Sequence, residues 1–411
     1  MKNIQLNNNI PILSSELIEK ATKELVSIDY PTTKNENWKY TRVTKISKKD
    51  FTISENNTLS NIEKFKIIRD SINIVFVNGF FSKSLSSENF ETEGLVIESV
   101  NEKNSKSIGK NVKLNNEIFN SLNTVFSTGG VSITIKRNSN IDKPIQIINI
   151  ISGNHTCSST RNIVLVEENS KAEIIQGFYS EDANQTFDNH ITEFFLKENA
   201  TLEVTKIQNY SDEVYSISTE QVEQEKGSIF TLSTISLAGE LIRNNVNVSV
   251  IGENCTTNLN GIYASSNTQH IDNHTTIDHI AAHCNSNELY KGIADDKSTI
   301  VFNGKVYVRP NAQKINAFQS NANILLSDDA SVNSKPELEI YADDVKCSHG
   351  STTGQLDEEA IFYLQARGVS KKSATNLLIN AFLMDVTDQI GNEEISNYID
   401  KIIESKLNLL T

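Results

Sequence analysis

The chain has 411 residues, a formal net charge of −14 at pH 7 and a pI near 5.1. This acidic balance argues against nucleic acid or an anionic membrane surface as the main partner, and no apolar run reaches the roughly 20 residues that span a bilayer. The four cysteines contain no CxxC pair and the N-terminus has no apolar signal segment, so we expect a cytoplasmic protein with reduced thiols.

Residues 1–70 are predicted to form a mainly helical N-terminal domain. Ser14 or Ser15 can cap a helix whose apolar residues follow the 3.6-residue period, and Pro31 lies just beyond its end. The segment that follows contains the only tryptophan, Trp38. We expect this side chain to anchor the helical arm to the body of the protein.

Residues 71–350 are predicted to form a β-rich core. Short segments of alternating polarity, rich in β-branched residues, follow one another, as in Val131–Lys136 and Val246–Ile251. Polar turns followed by an apolar strand recur in this region, the first two of them 30 residues apart. They begin at Glu168, Glu198, Glu225, Glu253, Asp296 and Asp329. Such a repeat suits stacked coils of a β-helix with polar side-chain ladders at the turns, and an antiparallel sandwich is the alternative.

Residues 351–411 are predicted to form a C-terminal helical domain. Gly368 ends the first helix, Ser370 caps the second, and apolar residues recur at helical spacing through the second and third. Three amphipathic helices of this kind can cover the last coil of the solenoid or present a groove to another protein.

Cys347 and His349 lie where the β-rich core meets the helical tail. Residues two apart in a strand point to the same face, so both side chains can address one ligand. Thiolate and imidazole suit iron or zinc, which take about four donors in a tetrahedral site. The missing donors must come from elsewhere in the chain or from a partner.

Other residues suggest chemistry more weakly. The density of His270, His274, His279 and His283 beside Cys284 suggests affinity for a transition metal, although a hydrogen-bonded structural role is the preferred interpretation. No phosphate-binding loop is expected on this chain, because the Gly292–Thr299 segment lacks the glycine before its lysine and carries two aspartates that would repel phosphate.

A carbohydrate-active β-helix enzyme, a lyase or hydrolase, is the natural catalytic alternative. Such enzymes need basic residues and paired acids in a groove, whereas the strand region is poor in arginine. The sequence contains no GxSxG elbow and no HExxH motif. A non-catalytic role is therefore the preferred prediction.

A dense set of motifs between residues 269 and 369 resembles the SufB/SufD family of iron–sulfur cluster assembly proteins. The motifs are Gln269–Thr275, His283–Cys284, Leu289–Gly292, Val301–Val306, Lys335–Gly350, Gln355–Glu359, Phe362–Leu364 and Arg367–Val369. The segments Pro31–Thr41 and Phe76–Gly79 also fit, so the resemblance spans nearly the whole chain.

Within the family the chain resembles the SufD branch. Lys346–Gly350 followed by Gln355–Glu359 is the SufD form of this block. The SufB branch carries a cysteine in the stretch that corresponds to Ala317–Asp328, and here that stretch has none. The chain alone is therefore not expected to hold a nascent cluster.

The resemblance implies a right-handed parallel β-helix flanked by helical domains. It also implies a complex with a SufB-like subunit, bound through the β-helix, and two copies of a SufC-like ATPase, with a cysteine desulfurase acting indirectly. His349, with Cys347 beside it, would bind iron or the nascent cluster at the SufB–SufD interface. The ATPase contact would lie on the C-terminal helices at Leu356, Phe362, Tyr363, Leu364, Arg367, Leu377 and Leu378.

Three questions stay open at this point. The sequence does not decide whether iron, sulfur or a flavin is handled on this subunit, or whether the histidines between 270 and 284 take part. A homodimer that acts only as a structural brace is a further alternative to the heteromeric scaffold.

Overall fold

A computed structural model describes residues 4–6, 12–53, 59, 61–101, 112, 114 and 117–410. Before residue 72 it contains a two-stranded parallel sheet, two helices and two short 3-10 turns. These elements are β1 (Ile4–Leu6), α1 (Ser15–Ser27), a turn at Glu36–Trp38, α2 (Thr44–Ser47), β2 (Phe51–Ile53) and a turn at Glu63–Phe65. The helix predicted after Ser14 is present as α1. The described part of this region is less helical than predicted, since α1 alone exceeds four residues.

The core is a parallel β-solenoid in which each coil contributes one strand to each of two sheets. The ten-stranded sheet contains β4 (Phe80–Phe81), β3 (Ile72–Val77), β7 (Ile145–Asn154), β9 (Lys171–Asn184), β11 (Thr201–Asn209), β13 (Ile229–Ala238), β15 (Thr256–Ser265), β17 (Asn285–Ala294), β19 (Ile315–Leu325) and β21 (Val345–Gly354), in this spatial order. The nine-stranded sheet contains β5 (Leu95–Ser99), β6 (Val131–Ile135), β8 (Cys157–Val166), β10 (Thr186–Leu196), β12 (Val214–Gln224), β14 (Leu241–Val250), β16 (His270–His279), β18 (Thr299–Val308) and β20 (Ser331–Ile340).

Neighbouring strands of both sheets pair in parallel, except β3 with β4 and β5 with β6. The predicted parallel β-helix is thereby confirmed, and the antiparallel sandwich is wrong. β21 extends to Gly354, past the predicted end of the core at residue 350. The division of the chain into three domains stays a prediction.

The corners of the solenoid explain the polar repeat. Asn138, Asn169 and Asn199 occupy equivalent corner positions with positive φ, a conformation that asparagine tolerates better than most residues. Their side chains form a ladder, in which the Asn199 amide donates to Asn169 at 3.1 Å and the Asn169 amide donates to Asn138 at 3.0 Å. The predicted turns at 168, 198, 225 and 253 share this edge of the solenoid. Those at Asp296 and Asp329 precede strands of the other sheet and so belong to the opposite edge.

Helix α3 (Ile118–Phe126) was not predicted. It lies between β5 and β6 in the chain and packs on the outer face of β8 and β10. Trp38 is buried against it, with its ring centroid 5.3 Å from that of Phe119. Trp38 therefore anchors the N-terminal segment to the solenoid, as the sequence predicted.

The C-terminal helices are α4 (Glu358–Gln365), α5 (Lys371–Thr387) and α6 (Glu393–Leu410). The Asp357 side chain caps α4, Ser370 caps α5 as predicted, and Gly368 between them has a φ of +87°. The helices do not cover the last coil. Helix α5 packs on the outer face of β15 and β17, and α6 packs on β13. Covering the last coil was one of the two arrangements that the sequence allowed, and the helices lie along the side of the solenoid instead, so that it ends in the edge strands β20 and β21.

No helix of the described residues is both long enough and apolar enough to cross a membrane.

Candidate functional site

Cys347 and His349 lie on β21, at the end of the solenoid. Val345 and Cys347 pack against the central core, and the Ser351 hydroxyl lies 2.7 Å from that of Ser334 on β20. Because side chains alternate along a strand, His349 shares this inward-facing side, as the sequence predicted. Both residues therefore face the open mouth of the lumen.

The open mouth determines how accessible the two side chains are. β21 pairs only with β19 among the described strands, with Cys347 beside Ala317 and His349 beside Gln319. Cys347 is half-buried, and this burial raises the pKa of its thiol, whereas His349 is exposed. A partner that reached this mouth would meet the imidazole first.

A buried polar pair lies immediately behind His349. Gln319 and Glu288 occupy the same inward-facing column on β19 and β17, and the Gln319 amide nitrogen donates to the Glu288 carboxylate. Burial raises the pKa of the Glu288 carboxyl to about 7. The wall of the lumen below the candidate site is therefore polar and contains a titratable group.

The described residues contain no group of three or more His, Cys, Asp or Glu side chains arranged to hold a metal ion. Cys347 and His349 thus offer two donors, which is fewer than iron takes in a tetrahedral protein site. Their arrangement can contribute ligands to a metal shared with another molecule.

His270 and His274 share the outward face of β16, as the sequence predicted. His270 Nε2 lies 2.8 Å from the Thr41 hydroxyl, and His274 Nε2 lies 3.0 Å from the Asp272 carboxylate. Burial lowers the pKa of both imidazoles. These contacts support the structural role that the sequence favoured for the pair.

His279 and His283 lie apart from that pair. His279 is fully buried and its Nε2 is 2.9 Å from the Ser286 hydroxyl, and burial lowers its pKa to about 4. His283 occupies a corner with a φ of +61°. The four histidines are therefore not gathered into one site.

Sequence reasoning missed the pairing of Cys255 with Cys284. The two thiols lie just before register partners Thr256 and Asn285, at the same edge of adjacent coils. The contact between the two thiols lowers the pKa of Cys255 and raises that of Cys284. Their separation of 29 residues, close to the length of one coil, was the available signal.

The residues predicted to contact an ATPase divide into two groups. Phe362, Tyr363, Arg367 and Leu377 are exposed, and the Arg367 guanidinium lies 3.6 Å from the Tyr363 ring centroid. Leu356, Leu364 and Leu378 are half-buried. Met384, which was not predicted, is also exposed on α5.

A second exposed apolar group lies near the mouth of the lumen. Phe318 on β19, Ile340 at the end of β20 and Tyr341 just beyond it are all more than a third exposed. The Tyr341 ring packs against that of Tyr307, with centroids 5.2 Å apart. The last coils therefore combine unpaired strand edges with apolar side chains.

Two family models match most of the chain. Residues 149–382 match the family described as the SUF system FeS cluster assembly SufBD core domain, and residues 5–147 match the SufBD protein N-terminal region. An iron–sulfur cluster assembly SufBD family protein of Synechocystis is 32% identical over 388 residues, which cover 89% of this chain and 85% of the relative.

Two further relatives are similar along much of their length. The iron–sulfur cluster assembly protein SufD of Escherichia coli is 30% identical over 384 residues, covering 92% of this chain and 89% of the relative. The iron–sulfur cluster assembly protein SufD of Bacillus subtilis is 26% identical over 306 residues, covering 72% of this chain and 68% of the relative.

Proposed function

The chain belongs to the SufBD family of iron–sulfur cluster assembly proteins and is a homologue of SufD. From this premise we propose that it is a non-catalytic scaffold subunit that works in a complex with a SufB-like subunit and a SufC-like ATPase. In this complex His349, with Cys347 beside it, contributes ligands to iron or to a nascent cluster. The metal and the sulfide are cargo and are shared with the SufB-like subunit.

The observation that carries the proposal is the position of an incomplete donor pair at an uncovered end of the solenoid. Cys347 and His349 offer two donors and face the open mouth beside the edge strands β20 and β21. Edge strands present unpaired backbone N–H and C=O groups that another sheet can extend. A SufB-like solenoid docked there would supply both the strand partner and the missing ligands.

The C-terminal helices support the second contact. Helices α5 and α6 use one face to pack on the solenoid, whereas Phe362 and Tyr363 on α4 and Leu377 on α5 are exposed. Exposed aromatic and arginine side chains in one cluster are typical of the centre of a protein–protein interface. We propose that this cluster binds the SufC-like ATPase, so that its conformational changes reach the solenoid through α5.

Affinity purification tests the proposed assembly. A tagged chain expressed with both partners should retain the SufB-like subunit and the ATPase in a stable complex. Recovery of neither protein would contradict the scaffold role, and recovery of the chain only as a dimer of itself would favour a structural brace.

Anaerobic reconstitution of the same complex tests the site. The His349→Ala complex should assemble normally and yield no cluster when iron and sulfide are counted. The matched control is Ser348→Ala, which alters an exposed neighbour on the outward face of the same strand and should keep the wild-type yield. A wild-type cluster yield in the His349→Ala complex would contradict the role of this residue.

A further inference from the structure

Three inward-facing residues form a column through the last coils of the ten-stranded sheet. Gln319 on β19 has Glu288 on β17 as one register partner and His349 on β21 as the other. Neighbouring strands lie about 4.8 Å apart, so side chains in register on one face are within reach of each other. Glu288 and Gln319 are buried, whereas His349 lies at the open mouth.

The Gln319 amide is oriented by the carboxylate behind it. Its nitrogen lies against the Glu288 carboxyl and donates to it, and the oxygen of the same planar amide leaves the amide carbon in a different direction. The amide oxygen therefore points away from Glu288. This oxygen is buried and has no protein partner among the described residues. Buried acceptors are nearly always paired, so this one calls for a donor.

The opposite wall of the lumen leaves room for this amide. Gly304 on β18 faces it, and a Cβ atom at that position would collide with the Gln319 nitrogen and approach the ring of Phe302. The glycine therefore permits the extended side chain that links Glu288 to the mouth. The amide lies in a space that two sheets shape together.

His349, the other register partner of Gln319, is a donor on the adjacent strand within reach of this side chain. Its imidazole makes no hydrogen bond within the described residues, and a neutral ring has one N–H to donate and one nitrogen to bind a metal. Histidine ligands of metals usually donate their second nitrogen to an oxygen acceptor, which fixes the tautomer and the ring orientation.

We propose that Gln319 is a positioning residue, whose side-chain oxygen accepts the ring N–H of His349 and directs the other ring nitrogen toward the shared metal. Glu288 holds the Gln319 amide in the orientation that this requires. The inference rests on the proposed function, since it assigns a support to the ligand named there. Gln319 and Glu288 thereby belong to the same site, behind His349, the proposed metal ligand.

Cobalt binding to the assembled complex measures this role without cluster formation. Co²⁺ is titrated anaerobically and followed by its visible absorption in complexes that contain the wild-type chain, Gln319→Met or His349→Ala. The methionine keeps the length of the side chain and removes the acceptor. We expect Gln319→Met to weaken Co²⁺ binding about tenfold, the lower end of the loss that removal of such a supporting group causes. His349→Ala should abolish this signal.

Gln208→Met is the matched control. Gln208 is a fully buried glutamine on β11, with β13, β15 and β17 between it and β19, and it accepts a hydrogen bond from Ser236 at 2.7 Å. The substitution removes the same amide from the same lumen far from His349. It should leave the Co²⁺ affinity at the wild-type value, and an equal loss in both variants would overturn the positioning role.

A reciprocal exchange tests the chemistry of the column. Glu288→Gln combined with Gln319→Glu keeps an acceptor for the His349 ring N–H at position 319, now a carboxylate. The new amide at position 288 donates a hydrogen bond to that carboxylate and holds it in place. The exchange should recover most of the affinity that Gln319→Met loses. It also provides a test if Gln319→Met does not fold, since a folded exchange variant with affinity at least tenfold below wild type would overturn the inference.

The failure of this inference is distinguishable from that of the proposed function. Wild-type binding in Gln319→Met, together with lost binding in His349→Ala, would overturn the positioning role and leave the ligand role intact. Wild-type Co²⁺ binding and cluster yield in His349→Ala would remove the ligand role, and the inference with it.

Discussion

The guanidinium of Arg243 lies over the ring of Trp38, 3.8 Å from the ring centroid. Its Nη1 also donates to Asp272 at 2.7 Å, and Asp272 accepts a hydrogen bond from the Thr41 hydroxyl. One arginine thus joins the N-terminal segment to adjacent strands β14 and β16. Burial alone would raise the pKa of Asp272, but His274 and Arg243 together hold it well below its usual range.

Removing this arginine should destabilise the protein strongly. Arg243→Met leaves the Asp272 carboxylate buried without its main hydrogen-bonded cation, a change that costs about 3–5 kcal/mol in other proteins. We expect a loss of this size in the free energy of unfolding by urea. Fluorescence of Trp38, the only tryptophan, reports the transition from the contact itself.

An exposed pair provides the control for that loss. Arg309 forms two hydrogen bonds with Asp278, each 2.9 Å long, but its side chain is 46% exposed. Arg309→Met should lower the free energy of unfolding by only about 0.2–1 kcal/mol, because water solvates both groups once they separate. Similar losses in the two variants would show that burial of the Arg243 pair does not matter.

The contacts around Arg243 show what the sequence could and could not predict. The alternation of side chains along a strand predicted that His270 and His274 share one face, and composition suggested that Trp38 is an anchor. The partner Thr41 lies 229 residues from His270 in the chain, and such contacts depend on how coils stack. Alternation along a strand predicts the face of a residue but not its neighbours in the next coil, so Gln319 and Glu288 were missed behind His349.

Glu288 should make stability depend on pH. Its pKa is raised from 4.5 to about 7 by burial, so the folded state binds more protons than the unfolded state between these values. The contribution of Glu288 to the free energy of unfolding is therefore fully present below about pH 4.5 and is lost as the pH rises through about 7. Between pH 5 and pH 8 the free energy of unfolding of the wild type should therefore fall by about 2–3 kcal/mol more than that of Glu288→Gln. This figure follows from roughly 1.4 kcal/mol per pKa unit.

Urea unfolding at a series of pH values measures this difference. Glu253→Gln is the control, because it makes the same substitution at an exposed corner of the solenoid. This variant should follow the wild-type pH profile. Parallel profiles for the wild type and Glu288→Gln would mean that the Glu288 carboxyl does not titrate differently on folding.

Two neighbouring residues of α5 test how the C-terminal helices are attached. Leu383 is 2% exposed and packs in a cluster with outward-facing isoleucines of the ten-stranded sheet, whereas Met384 is 56% exposed. Leu383→Ala should lower the free energy of unfolding by about 2–5 kcal/mol, and Met384→Ala by less than about 0.5 kcal/mol. Equal, small effects would contradict the packing of α5 on the solenoid.

The sequence left the position of these helices open between two alternatives, and the reason is physical. Helical periodicity identifies an apolar face but not the surface that it covers. The missed signal lies in the strands: Ile235, Ile262 and Ile293 are buried on the outward face of the ten-stranded sheet, and an outward apolar row requires a cover. The helices meet that requirement along the side of the solenoid and leave its end free.

Phe362 should be a major contact for the proposed ATPase. Its side chain is 71% exposed, so Phe362→Ser removes little packing from the isolated chain. If it fills a pocket of the partner, its loss costs at least about 2 kcal/mol of binding, or roughly 30-fold in Kd. Titration calorimetry with the purified ATPase measures the change, and the thermal unfolding midpoint should remain unchanged.

Val26→Ser is the control for this last experiment. Val26 is 83% exposed on α1, outside the C-terminal helices, and its loss should affect neither binding nor stability. Unchanged affinity in Phe362→Ser would contradict the proposed contact on α4. An affinity loss accompanied by a lower unfolding midpoint would instead indicate that Phe362 supports the fold, because a side chain used only for binding contributes nothing to the stability of the free chain.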